Sequence, residues 1–409
     1  MKWFSILLFM VVGFSLAVAQ HLPEGIDDPQ LWKKALQIHR SAIVLDTHVD
    51  VTMRIFHEGF DIGQRHADGH FDLPRAREGG LDGLFFSIFV PNRMDSLHPA
   101  KYALELIDAV YSAVEKYPDQ IEMAYTSADI RRIHKEGKIA ALMGMENGSP
   151  IEHSLGLLRD FYRLGVRYIT LTHSKPNDIS DSATDTALWG GLSEFGKQVV
   201  QEMNRLGMLI DVSHLSDEAI RDVLSISQTP VIASHSSVRA LAHHPRNLPD
   251  ELLKGIARNG GVVQINFYSG YLSDAYNSAY QKAKKELAPQ IAALKEKFAD
   301  DENAYWRAYI KLFDAYQIPV PDVTAIVDHI DYVVKVAGID HVGLGSDFDG
   351  VSSLPERLPD VSALPIITYY LLKRGYTEEQ IQKILGGNLL RVMEANEKFR
   401  AEHYAAEGK

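Results

Sequence analysis

Ala42-Ile-Val-Leu-Asp-Thr-His-Val-Asp50 opens as a short apolar run and closes on Asp46, His48 and Asp50. A run of this length followed by a helical pattern reads as the strand of a βα unit. Seven more runs repeat it, at residues 83–90, 139–145, 168–172, 208–212, 230–233, 261–267 and 341–345. Helical patterns lie between them, among them residues 193–206. In residues 322–337, Val323, Ile326, Val327, Ile330, Val333 and Val334 follow the 3.6-residue period. Eight strands alternating with helices predict an α/β fold, a (β/α)8 TIM-type barrel. An open doubly wound sheet is the alternative, but no Gly-rich phosphate turn supports it. Residues 270–321, rich in Lys, Glu, Ala and Tyr, break the alternation as a helical insertion after strand seven. They read as a solvated hairpin; because they leave from the catalytic end of the barrel, a lid or dimer contact is the alternative.

Composition narrows the function. With 46% hydrophobic and 23% charged residues the chain is globular rather than disordered. A net charge of −12 speaks against nucleic acid, which needs a basic face. Residues 1–19 read as a signal peptide: Lys2 is the positive start, an apolar core follows, and Ala17-Val18-Ala19 is the small-residue cleavage site. The apolar run falls short of the roughly 20 residues a bilayer span requires, so no stable membrane anchor is expected. The mature chain, residues 20–409, is then exported to the periplasm or beyond as a single (β/α)8 domain. Cys is absent, which removes disulfides, thiol nucleophiles and thiolate ligands. Any metal must sit on His and carboxylates.

The residues that end the strands point to such a metal. Strand one runs into His48 and Asp50, strand three into Glu146, and strand four into His173. Strand five ends at His214, strand six at His235 and strand eight at Asp347. C-terminal strand ends share one mouth in a barrel, so these positions converge. One histidine after a strand is ordinarily a hydrogen-bonded loop residue; six such ends together are not explained that way. His48 and Asp50 can reach inward from one face, His214 and His235 add two imidazoles, and Glu146 has two oxygens with which to bridge two ions. The chemistry implied is metal-assisted hydrolysis of an acyl or phosphoryl bond.

These segments resemble the membrane dipeptidases, also called renal dipeptidases, of the amidohydrolase-type barrels. The matching stretches are Asp46-Thr-His-Val-Asp50, Met143-Gly-Met-Glu-Asn147, Leu171-Thr-His173 and Ile210-Asp-Val-Ser-His214. Val231-Ile-Ala-Ser-His-Ser-Ser237, Arg246-Asn-Leu-Pro-Asp250, Val342-Gly-Leu-Gly-Ser-Asp-Phe-Asp-Gly350 and Gly387-Asn388 follow in order. The resemblance implies two Zn2+ per chain, one on His48 and Asp50, the other on His214 and His235, bridged by Glu146. It implies dipeptide hydrolysis by a metal-bridged hydroxide, with His173 at the oxyanion and Arg246 on the free substrate carboxylate. Asp347 would serve as general base and then acid. Tyr268 either lines the substrate pocket or packs in the core. Tolerance of a D-residue at the C-terminal position and a homodimer are further implications.

Two departures bear on the neighbours of ligands: Val49 stands where the family has Asn, and the stretch after Glu146 is not the glycine-rich one. They touch substrate preference rather than the metals. Histidines 57, 66, 70, 243 and 244 read as loop surface or pocket lining. The pairs Phe85-Phe86 and Phe267-Tyr268 read as barrel packing. The rival readings are a related hydrolase of N-acyl amino acids, lactones or β-lactams, and a non-catalytic periplasmic binding protein. His/carboxylate sites also accept manganese or cobalt.

Overall fold

The computed structural model describes residues 22–299 and 302–404. The expected signal peptide lies outside them. Eight parallel strands form one sheet in the order β1 (Leu45–Val49), β2 (Gly83–Phe89), β4 (Ile139–Glu146), β5 (Val166–Thr170), β6 (Leu209–Asp211), β7 (Ile232–Ser236), β8 (Val262–Ile265) and β9 (Val342–Leu344). A ninth, β3 (Ile121–Met123), pairs with the start of β4 and was not anticipated. Beyond β9 the last strand meets the first: Asp347 N donates to His48 O at 3.0 Å and Asp50 N to Phe348 O at 2.7 Å. The sheet is thereby a nearly closed barrel, as the strand–helix alternation predicts.

The strand windows were right in number and order but several were displaced. The first runs over Leu45–Val49 rather than 42–45, so Asp46, Thr47 and His48 belong to the strand itself. Polarity made these residues look like a loop, yet all are buried, because here the strand end is the site.

The inner and outer faces have different cores. Outward side chains such as Leu84, Met143, Ile169 and Val263 join the helices in one large cluster. The helix at Thr324–Ala337 buries Ile326, Val327, Ile330 and Val333, the stripe its period predicted. Inward residues Leu45, Phe85, Ala140, Tyr168, Leu209, Ile232 and Val262 form a second cluster with Leu389, Leu390 and Met393 of the last helix, α17 (Asn388–Tyr404). That cluster fills the floor and leaves the opposite, C-terminal end for polar side chains. After β8 come helices Ser269–Leu272, Asp274–Glu286, Ala288–Lys297 and Glu302–Tyr316, where the insertion was expected. They hold a small core of their own around Ala283, Leu287, Tyr309 and Phe313. Among the described residues no helix is long and apolar enough to cross a membrane.

Candidate metal centre

His48, Asp50, Glu146, His173, His214, His235 and Asp347 all converge on the C-terminal mouth. Three overlapping groups lie within metal-sharing distance: His48–Glu146–His235, Glu146–His173–His214 and His48–Asp50–Asp347. Glu146 is central because its two oxygens face different partners. Its Oε2 is 3.4 Å from His48 Nε2, and its Oε1 is 2.9 Å from His214 Nε2 and 3.4 Å from His235 Nε2. Asp50 closes the His48 side, with Oδ2 at 3.3 Å from Nε2. Asp50 precedes a helix, Val51–Glu58, but does not cap it through its side chain, so the carboxylate is free for the mouth.

The backbone aims these groups. His214 and Asp347 hold left-handed conformations, φ 70° and 64°, which side-chain-bearing residues adopt at a cost. Tyr168 crosses the barrel interior over Gly144, where an added Cβ would lie 1.9 Å from its ring. Its hydroxyl donates to Thr47 O at 3.0 Å and accepts from His48 Nδ1 at 2.7 Å. His235 Nδ1 meets Ser234 Oγ at 2.7 Å, and that hydroxyl donates to Asp211 Oδ2 at 2.6 Å. Both networks assign the ring proton to Nδ1 and turn a bare Nε2 toward the mouth.

This arrangement fits cations. His48 Nε2, which faces Asp50 and Glu146, is buried without a hydrogen-bond partner. The Nε2 atoms of His214 and His235 stand 2.9 Å apart, a spacing that needs a proton or a cation between or beside them. A buried donor set of imidazoles and carboxylates is the zinc-type set expected without Cys.

Burial keeps His214 and His235 well below the ordinary histidine range, with Arg246 adding to the effect at His214 and His48 at His235. Burial also lowers His173. At Glu146 the charges of His48 and His173 outweigh burial and hold the carboxyl well below its usual range. Burial, followed by the charge of Asp50, pushes Asp347 up to about 7.

Arg246 sits at the rim of the cluster, 3% exposed, with Nη2 donating to His235 O at 3.1 Å and Nε left without a partner. Tyr268 lies in an aromatic group with Tyr271 and Tyr276, at ring distances of 5.0 and 6.1 Å. The ring facing the Arg246 guanidinium, at 5.4 Å, belongs to Tyr271, which the sequence reading did not single out. It also missed Tyr168, Asp211, Ser234 and Asn266. Asn266 donates through Nδ2 to Asp347 Oδ2 at 2.8 Å, its own Oδ1 fixed by Tyr268 N at 2.7 Å. Ser234 stands next to His235, which was the available signal, whereas Asp211 lies three residues before His214 and serves a different histidine. The departures are now placed too: Val49 is a buried strand residue, and Asn147, φ 77°, donates to Val90 O and Asp95.

A parallel barrel with a carboxylate shared among histidines at its C-terminal mouth defines a metallohydrolase of the barrel type. The chain belongs to the membrane dipeptidase family, peptidase family M19, whose profile matches residues 32–407. It is 35% identical over 380 residues to the dipeptidase verJ of Clonostachys rogersoniana, covering 89% of this chain and 87% of that one. The crystal structure of the probable dipeptidase PvdM from Pseudomonas aeruginosa superposes with a TM-score of 0.77 at 29% identity, over 90% of this chain and 99% of that one. A metallopeptidase from Rhodobacter sphaeroides, solved with a phosphinate mimic of the dipeptide L-Ala-D-Ala, matches at TM-score 0.71 and 26% identity. The match covers 87% of this chain and 99% of that one. Family membership makes this chain a metal-dependent hydrolase of the dipeptidase type.

Proposed function

We propose that the chain is an exported zinc dipeptidase that hydrolyses the single peptide bond of dipeptides and accepts a D-residue at the C-terminal position. The observation that carries this reading is the division of Glu146: one oxygen toward His48, the other toward His214 and His235. His48 and Asp50 would hold one zinc ion, His214 and His235 a second, with Glu146 common to both. Zinc bound there supplies Lewis acidity and water activated near neutral pH.

The chain's own residues do the rest. Arg246 offers a buried guanidinium with Nε unpartnered, suited to the free carboxylate that every dipeptide has. It is this clamp that favours peptides over lactones. His173, its Nδ1 near Asn92 Oδ1 at 3.4 Å, turns Nε2 to the mouth and donates to the carbonyl oxygen as charge gathers on it. Asp347 would take the proton of the attacking water and return it to the leaving amine nitrogen, its carboxyl raised above the usual carboxylate range by burial and by the charge of Asp50. The amide of Asn266 holds the carboxyl in place. The L-Ala-D-Ala mimic seen in the Rhodobacter relative supports the stereochemical part of the proposal.

The test is the protein from residue 20 onward, counted for metal and assayed on L-L and L-D dipeptides with and without chelator. About two zinc ions and chelator-sensitive release of free amino acids from both series are expected. Cleavage of L-L peptides alone removes the D-residue claim. Full metal occupancy without dipeptide turnover overturns the substrate assignment in favour of N-acyl amino acids or lactones.

A further inference from the structure

At the floor of the barrel, away from the metal centre, a cavity of about 400 Å³ opens beside the start of β5 and the end of α17. Two guanidiniums line it. Arg167 donates through Nε to Tyr125 O at 2.6 Å and through Nη1 to Tyr162 O at 2.9 Å and Val166 O at 3.1 Å. All its acceptors are neutral carbonyls. Its charge lies over the rings of Tyr162 and Tyr125, at 4.5 and 5.3 Å. Arg400 donates to Tyr162 Oη at 2.8 Å and lies 5.2 Å from the same ring. Neither guanidinium has a carboxylate partner among the described residues. Glu397, the acid in the lining, is engaged by Ser127, whose N and Oγ both donate to it at 2.7 Å. Burial accordingly draws the Arg167 pKa down, with the like charge of Arg400 adding to it. Two guanidiniums thus share the cavity with a single carboxylate that is held by Ser127, a net positive charge that a bound anion would balance. Leu209 and Met393 give the wall an apolar part.

We propose that this cavity binds a small organic carboxylate with an apolar body, its carboxylate on Arg167 and Arg400 and its body against Leu209, Met393 and the tyrosine rings. The volume suits a ligand of that size. Guanidinium forks suit a carboxylate, and aromatic faces already hold them in orientation. Chemistry belongs to the other end of the barrel, so the ligand is bound here and not turned over. Free amino acids and other organic acids share the required chemistry.

Calorimetric titration of the zinc-loaded protein with benzoate, L-phenylalanine and inorganic phosphate tests the proposal. One benzoate or phenylalanine per chain is expected at this cavity, counted in the Arg246→Gln protein so that the carboxylate clamp at the mouth adds none. Arg400→Gln removes a charged hydrogen-bond donor at an exposed position and should weaken binding about tenfold or more. Ala401→Trp, also exposed, should do so by filling the cavity without changing charge. Arg246→Gln, at the catalytic mouth, should leave this binding intact. Phenylalanine binding without benzoate identifies amino acids as the source; binding of both widens it to organic acids. The proposal is overturned if neither binds, if phosphate binds as well as they do, or if Arg246→Gln abolishes binding while Arg400→Gln spares it.

Discussion

Buried histidines occur in the helical layer and at the barrel mouth, and the two regions treat them differently. In the helical layer, His39 has partners for both ring nitrogens: Thr368 Oγ1 at 2.7 Å on Nδ1 and Gly79 O at 2.8 Å on Nε2. His329 is likewise complete, accepting from Val238 N at 3.0 Å and facing Leu272 O at 3.3 Å. Each ring is neutral and satisfied by neutral groups. At the mouth, His48 and His235 have Nδ1 tied and Nε2 turned toward carboxylates or another imidazole, and His214 leaves Nδ1 with no partner. One histidine type completes the fold; the other leaves a demand that only a cation or proton meets. Burial and hydrogen-bond completeness together, rather than residue type, separate a packing histidine from one placed to bind a cation.

The sharpest way to break this contrast is to remove the charge both halves of the mouth share. Glu146→Gln keeps the shape and deletes the anion. Turnover should fall by about 10³-fold or more, with metal content reduced in parallel. The charges of His48 and His173 hold the Glu146 carboxyl well below its usual range, so the anion favours the fold even without metal, and the chelated variant should unfold earlier than the chelated parent. An unchanged Tm in the chelated variant would show that Glu146 serves the metal alone. For the parent, chelation itself should lower Tm, by linkage between metal binding and folding; an unchanged Tm would mean that metal was not bound in the native state.

The helical layer predicts the opposite behaviour. Burial holds His39 down to about 4, against 6.5 when unfolded, and His329 likewise. The unfolded chain therefore binds the extra proton first. Each contribution is whole above about pH 6.5 and is lost as pH falls toward 4, on the order of 3 kcal/mol per histidine at most. Urea unfolding at pH 7 and pH 5 should show that loss. His39→Gln should flatten the acid limb and cost about 1–2 kcal/mol at pH 7, while leaving kcat on a dipeptide unaltered. A changed kcat would erase the distinction between the two regions.

The fold was legible because strand number and order rest on apolar runs, which the helices and barrel interior both require. Boundaries failed where chemistry overrode apolar patterning: Asp46, Thr47 and His48 look like loop and are strand. The three residues of β3, Ile121–Met123, are too short and half-polar to register as a run. At the site, residues that end strands were readable, since the barrel brings all strand ends together. The supporting residues were not, because their role depends on a partner many positions away. Tyr168 serves His48 from 120 residues on, and Asn266 serves Asp347 across 81. No local spacing encodes either contact. The insertion's helical character was readable from composition, but its aromatic core around Tyr309 and Phe313 depends on how those helices pair.

The smallest expected effect sharpens the contrast most, because it acts on a ligand without touching it. Asp211 is fully buried at the end of β6; its Oδ1 accepts from Ser213 N at 3.0 Å and Ser234 N at 2.8 Å, and its Oδ2 from Thr170 Oγ1 at 2.5 Å and from Ser234 Oγ at 2.6 Å. That last bond fixes the direction of the Ser234 hydroxyl and leaves its oxygen to accept the Nδ1 proton of His235. Asp211→Asn retains the volume and an acceptor, but its amide nitrogen would face the hydroxyl proton or a backbone N–H. The serine would turn, the Nδ1 proton would lose its acceptor, and His235 would present Nε2 less firmly. Metal affinity should fall about 10- to 100-fold, as for other groups that orient a metal-bound histidine, and excess zinc should restore turnover. Ser234→Ala should give an effect of the same kind, and the double variant should cost little more than either alone, since both act through one proton. Full additivity would mean that Asp211 acts through the backbone of β7 or through Thr170 of β5 rather than through His235.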